Sequence, residues 1–204
     1  MIKTILYKLG SISYKLFPPF LSLQFTNIYR WLYSGYQSRQ FNRCGSLFYI
    51  HGQSTIVGGE YMNIGNNVSI GKRAILTAWK NLENKPQLII GDKTIIGDDC
   101  HITMANKINI GSNVLMGKKI TITDNSHGKG LDIQNIEPPI ERELYSKGPV
   151  YIGNNVWIGD KATILPGVTI GDNSIIGANS VITKNIPENS IAVGNPAYII
   201  KHFS

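Results

Sequence analysis

The side chains of this protein that can exchange a proton or act as a nucleophile near neutral pH are its four histidines and two cysteines. His51, His101, His127 and His202 lie far apart in the chain. No two stand at the short spacing that grips a metal, so no metal site is expected. Cys44 and Cys100 make neither a metal pattern nor a disulfide framework. Cys100 falls at the small inward position of Ile96-Gly97-Asp98-Asp99-Cys100-His101, which predicts a packed thiol rather than a nucleophile. His127 differs in its surroundings. It follows Ile122-Thr123-Asp124-Asn125-Ser126 and opens an irregular stretch, His127 to Val150, that is rich in glycine, proline and mixed charge. An imidazole titrates near neutrality, so it can take a proton from a reacting group and hand it on. Asp124 and Asn125 lie within three residues of it. They can bind acceptor hydroxyls or orient the imidazole, and as corner residues they can equally serve the turn.

The element that must position these residues is a repeat. Isoleucine stands at 152, 158, 164, 170, 176 and 182, six apart each time, and a small or β-branched residue follows four places after each. A helix with 3.6 residues per turn would scatter such side chains around its axis. Short strands joined by tight corners instead send one large aliphatic residue inward per side of a coil. Gly, Asn and Asp tolerate unusual corner backbone. This is the hexapeptide form of a parallel β-helix. The pattern starts weakly near Phe48 and firmly at Ile64, breaks at Trp79 to Pro86, and takes an eight-residue step from Ile102 to Ile110 that a local bulge can absorb. A solenoid carries the later interruption only by ejecting it as a loop, and long loops are usually functional. The expected organisation is an N-terminal helical arm over 1–47, the β-helix over 48–190 with the ejected loop 128–149, and a tail over 191–204.

The net charge of +7 is unevenly placed. Residues 1–59 carry Lys3, Lys8, Lys15, Arg30, Arg39 and Arg43 and no acid, whereas the rest is nearly neutral. No nucleic-acid recognition module is legible, and no nucleic-acid partner is expected. Within the arm Ile5, Leu6, Leu9, Ile12 and Leu16 can line one helical face with Lys8 and Lys15 outside it. After Phe17-Pro18-Pro19-Phe20, the residues Phe25, Ile28, Tyr29, Leu32, Tyr33 and Tyr36 suggest a second helix. Two compatible expectations follow: the arm caps the first coil, and residues 1–45 touch an anionic membrane surface. The N-terminus lacks a signal peptide's uninterrupted apolar core, and no stretch approaches the roughly twenty apolar residues of a span. The expected location is the cytoplasm, at the periphery of the inner membrane.

The residues from Ile122 onward carry a resemblance. The run Ile122 to Gly128, the ejected loop, GPVYIGNNVWIGDKATILPGVTIGDNSIIGANSVITKNIP and Gly194-Asn195-Pro196-Ala197 resemble the hexapeptide-repeat acyltransferases. The nearest branch holds the galactoside and maltose acetyltransferases and the O-acetyltransferases of bacterial surface polysaccharides. The resemblance covers residues 60–200, with its specific motifs in 108–197; the arm lies outside the family pattern. It implies a left-handed β-helix, an exception to the right-handed crossover rule. It also implies a homotrimer with active sites in clefts between subunits, acetyl-CoA as co-substrate and a saccharide acceptor. His127 matches the catalytic histidine. Trp157 matches the acetyl-CoA wall, and the backbone N–H of Asp160, after Gly159, matches the group that polarises the thioester carbonyl. Galactoside-type relatives carry serine there, so only the main-chain role carries over. Gly177, Ala178, Thr183 and Lys184 match the CoA groove, with Asn179 replacing a frequent glycine. Lys184 and Lys201 can meet the CoA phosphates. Neither cysteine sits in this motif, so no acyl-enzyme is expected.

Rival readings are weaker. The γ-class carbonic anhydrases share the fold but need two histidines five residues apart, a pair this chain lacks. N-acetylation of a nucleotide-linked amino sugar would use the same base and cleft. Relatives of that kind often bear an extra N-terminal nucleotide-binding domain, which is not legible here. A non-enzymatic β-helical scaffold leaves His127 beside an ejected loop unexplained.

Overall fold

Period six folds into one short strand and one corner per side of a triangular coil. In the coil that ends at His127 the three strands are Lys107–Ile110, Leu115–Met116 and Thr121–Thr123. Each pairs in parallel with the strands one coil below and above: Ile108 with Leu88 and Val150, Leu115 with Ile95 and Trp157, Ile122 with Ile102 and Ile164. Stacking makes three sheets, here called A, B and C in the order the chain visits them, with six, eight and six strands among the described residues. The fold is the parallel β-helix that the repeat predicts, of the left-handed kind that the family resemblance implies. It was obtained as a computed structural model, which describes residues 2–16, 19–80, 85–129 and 137–203, with only the backbone at 14–16 and 19–26.

Inward positions stack into columns. On sheet C the column is Leu76, Ile102, Ile122, Ile164 and Ile182, all without exposed surface. Burying one such side chain contributes about 1.5–3 kcal/mol. Because the column runs from coil to coil, reaching partly buried Ile56 below Leu76, each coil is stabilised chiefly by its neighbours. Cys100 lies in this core at 1% exposure, and burial pushes its thiol up to about 11, the packed state its hexad position predicts.

The corners divide their work between two residues. The left-handed backbone falls on the third residue of each turn, as at Asn155, Lys161, Asn173 and Asn179 with φ of 58 to 60°. The glycine two residues earlier serves close approach instead. A Cβ on Gly153 would come within 2.7 Å of the Asp172 nitrogen in the next coil. Asn at 179 suits its position because its short polar side chain tolerates that backbone region.

The solenoid is longer at both ends than the sequence suggests. Arg43–Cys44, placed in the arm by sequence, already pairs with Met62–Ile64 as the first strand of sheet A. At the other end Ser190–Gly194 extends sheet B, and Ala197–His202 folds back antiparallel on it where a departing tail is expected. The eight-residue step is no bulge. Four-residue strands, His101–Met104 and Lys107–Ile110, run up to a corner at Ala105–Asn106.

The arm forms two helices, α1 (Ile2–Leu16) and α2 (Pro19–Gln37). Phe17 and Pro18 lie outside the described residues, as do the side chains of Leu16, Phe20 and Phe25. α2 caps the first coil through a face that joins Tyr33 of the predicted apolar set to Ser34 and Gln37, which the sequence does not single out. Ser34 and Gln37 are buried, Tyr33 packs on the core, and Trp31 meets Tyr49 edge-on at 5.3 Å. The Ser34 hydroxyl accepts the Ile50 N–H at 2.9 Å, satisfying an edge amide that would otherwise face a missing coil. Ile28, Tyr29, Leu32 and Tyr36, whose spacing suggests the helix, are exposed.

Candidate active site

Asp124 determines where His127 leaves the coil. The strand Thr121–Thr123 is the sheet C side of its coil, and the next inward position holds a carboxylate with no exposed surface. Its Oδ1 accepts the Ala105 N–H at 2.7 Å and its Oδ2 accepts the Asn106 N–H at 2.9 Å. Asn125 Nδ2 donates to Asp124 Oδ1 at 3.0 Å and to the Thr103 carbonyl at 3.2 Å. Asp124 therefore turns into the coil and serves the corner of the coil below, where its side chain has no exposed surface for an acceptor in this subunit. Asn125 is half-buried and bound to the same corner. Each buried N–H left without a partner costs about 1–3 kcal/mol, so Asp124→Ala is expected to lower the unfolding free energy in urea by about 2–4 kcal/mol. A loss below about 0.5 kcal/mol would mean that water serves both amides instead.

Past Asn125 the chain leaves the coil as a two-stranded ribbon. Ser126–His127 pairs antiparallel with Leu144–Tyr145, His127 opposite Leu144, and the Gly128 N–H donates to the Glu143 carbonyl at 2.9 Å. The backbone at His127 is thus held between the Asp124 corner and a returning strand, while its side chain is exposed. Residues 130–136 of the ejected loop lie outside the described residues. The returning strand is invisible in the sequence, because two residues carry no period. Beneath this corner, on the outer side of sheet A, a cavity of about 470 Å³ is lined by Tyr61, Asn63, Gln87, Asn106 and Lys107, among others.

The residues matched to acetyl-CoA binding gather elsewhere. Trp157 stands outward on sheet B, 53% exposed, in register between Leu115 and Ile175. The same outward column continues through Ile191 to Lys201, whose ammonium lies 4.6 Å from the Phe203 ring centre. Gly159 and Asp160 form the corner between sheets B and C, and Gly177 and Ala178 form the same corner one coil on. A Cβ at Gly159 would meet the Ala178 nitrogen at 2.6 Å.

These corners carry a ladder of hydrogen bonds. At several corners, in this row and in the row between sheets A and B, a side-chain oxygen of the next coil accepts the corner N–H. Asp98 Oδ1 serves Lys72 at 2.8 Å, Asp160 Oδ1 serves Lys118 at 2.9 Å, and Asp172 Oδ1 serves Asn154 at 2.7 Å. Above Asp160 the matching residue is Ala178, which has no oxygen to offer. Among the described residues the Asp160 N–H donates no hydrogen bond. A carbonyl oxygen could accept from it.

His127 and Asp160 thus flank opposite edges of sheet C. Exposed Thr183 and Lys184 share the edge of His127, two coils on, while Trp157, Gly177, Ala178 and Lys201 lie on or beside sheet B. One subunit does not gather the predicted residues into one cleft.

Residues 149–184 match the family model for the bacterial transferase hexapeptide (six repeats). WbbJ of Escherichia coli (strain K12), named as a lipopolysaccharide biosynthesis O-acetyl transferase, is 36% identical over 148 residues, which is 70% of this chain and 72% of that protein. The chain belongs to the hexapeptide-repeat acyltransferases. This hexapeptide-repeat enzyme is an acetyltransferase, and solved structures share its fold. A maltose O-acetyltransferase from Clostridium difficile 630 is 35% identical with a TM-score of 0.51, over 67% of this chain and 70% of that one. A mutant of AntD, an N-acyltransferase from Bacillus cereus in complex with dTDP and coenzyme A, aligns with a TM-score of 0.68. That alignment covers 83% of this chain and 88% of AntD at 20% identity, a likeness of fold.

Proposed function

We propose that this acetyltransferase moves the acetyl group of acetyl-CoA to a sugar hydroxyl in the assembly of a bacterial surface polysaccharide. The observation that carries the reading is His127, an exposed imidazole on a backbone held from both sides at the mouth of the ejected loop. A sugar hydroxyl is a weak nucleophile. His127 takes its proton as the oxygen bonds to the thioester carbonyl carbon, and the Asp160 N–H donates to the carbonyl oxygen as charge builds there. The C–S bond then breaks, and the imidazolium returns the proton to the departing thiolate. Transfer is direct: neither cysteine lies in the coil of His127, Cys100 being packed in the core and Cys44 in the first strand of sheet A, and burial pushes both thiols up to about 11.

The separation of His127 from Asp160 across sheet C supports a site shared between subunits of a homotrimer. The exposed apolar column of Ile95, Leu115 and Trp157 supports burial against a ligand or a neighbouring subunit. Trp157 would flank the pantetheine arm, Thr183 its groove, and Lys184 and Lys201 the phosphates. The cavity under the Asp124 corner, where Asn42, Asn63, Gln87 and Asn106 stand with Glu60, Lys85 and Lys107, offers a polyhydroxylated acceptor both neutral and charged hydrogen-bonding groups.

Thiol release from acetyl-CoA, measured against a panel of sugars and amino sugars, tests the reading. The expected result is release that depends on a hydroxyl acceptor and yields a base-labile ester. An amide on a nucleotide-linked amino sugar would replace O-transfer by N-transfer. Release with no acceptor in a broad panel would overturn the enzymatic assignment of His127.

A further inference from the structure

The two helices of the arm have different fates. α2 is spent on the solenoid, through Ser34, Gln37 and Tyr33. α1 is not: residues 2–13 are exposed throughout, among them Ile2 at 73%, Ile5 at 52%, Leu6 at 62%, Leu9 at 57% and Ile12 at 56%. These five residues recur three or four apart and therefore share one face of the helix. Lys3 and Lys8 lie off that face, and Thr4 and Ser11 lie opposite it. Such a helix in water leaves its apolar face uncovered, which is unfavourable unless something covers it. No described helix is long and apolar enough to cross a membrane.

We infer that α1 lies flat in the surface of an anionic lipid bilayer, with Ile2, Ile5, Leu6, Leu9 and Ile12 in the acyl boundary and Lys3 and Lys8 reaching the phosphates. Charge selects this occupant. The first 59 residues hold six cations and no acid, so a lipid surface of opposite sign attracts the arm, whereas the arm of a second copy repels it. A lysine stem covers apolar surface while its ammonium stays at the headgroups. α2 ties the first coil to this anchor, so the N-terminal end of the solenoid is the end held at the membrane. The inference goes beyond the acetyl-transfer reading and does not depend on it.

Full-length protein is mixed with vesicles of phosphatidylcholine alone and with vesicles that also contain phosphatidylglycerol, then sedimented at low salt. Binding to the anionic vesicles is expected, weakening as salt shortens the screening length to about 8 Å and below. The paired changes Leu6→Ser with Leu9→Ser, and Lys3→Gln with Lys8→Gln, are each expected to lower the vesicle affinity at least about tenfold. Both pairs lie on exposed positions, so melting temperature and oligomer mass should stay as in the parent. The inference is overturned if the parent ignores anionic vesicles, or if either pair binds as the parent does. It is equally overturned if the Leu6 and Leu9 changes break up the oligomer, which would make the face a contact between copies of the chain.

Discussion

Replacing His127 by alanine is expected to lower kcat for acetyl transfer about 10²–10⁴-fold, with the KM for acetyl-CoA nearly unchanged. The size follows from what remains. Without a base the acceptor hydroxyl must lose its proton to water, but the positioning of both substrates and the Asp160 N–H persist. The fold should also persist, because the imidazole is exposed and the corner is held by Asp124 through Ala105 and Asn106. Single-turnover measurements keep product release from hiding the effect. A variant that retains more than about a tenth of the parental chemical rate would remove His127 from the reaction.

Ala178→Asp is expected to cut kcat about 10²–10³-fold by a different route. A carboxylate at 178 would stand over the Asp160 N–H as Asp160 stands over that of Lys118, where the contact is 2.9 Å. The donor would then be satisfied within the chain and lost to the thioester carbonyl. Ala178→Val adds bulk without an oxygen and is expected to keep most of the rate. If both variants fall equally, space in the groove matters rather than the free N–H. If the aspartate variant keeps about half of the parental rate, Asp160 does not polarise the carbonyl.

Mixing the two variants asks whether His127 and Asp160 act across an interface. In trimers reassembled from equal parts, a site built from neighbouring subunits recovers both working groups about one time in four. A site built within one subunit recovers none. The expected outcome is activity near a quarter of the parental level, from two preparations that are each nearly inactive. Failure to regain activity after verified subunit exchange would place the whole site in one chain.

The repeat was legible in the sequence because its physics is one-dimensional. An isoleucine every six residues can reach a common core only if each hexad makes one side of a coil, so the β-helix and its inward residues follow from spacing, while its left hand is implied by the family resemblance. Cys100 as a packed thiol and His127 at the mouth of an ejected loop are read in the same way. The sequence also gives the polarity of the arm, since its cations and apolar residues are local facts. It does not show which helix is spent on capping. That depends on Ser34 meeting the Ile50 N–H, a contact between elements with no shared period. Nor does it choose between the roles open to Asp124, because an aspartate in a turn reads the same whether it faces solvent or the amides of Ala105 and Asn106. Only stacking places Ala178 over the Asp160 N–H and leaves that donor without a partner among the described residues. Only the circuit of the coil puts His127 and Asp160 on opposite edges of sheet C, because residues near in sequence are carried around the triangle while residues a coil apart are brought together.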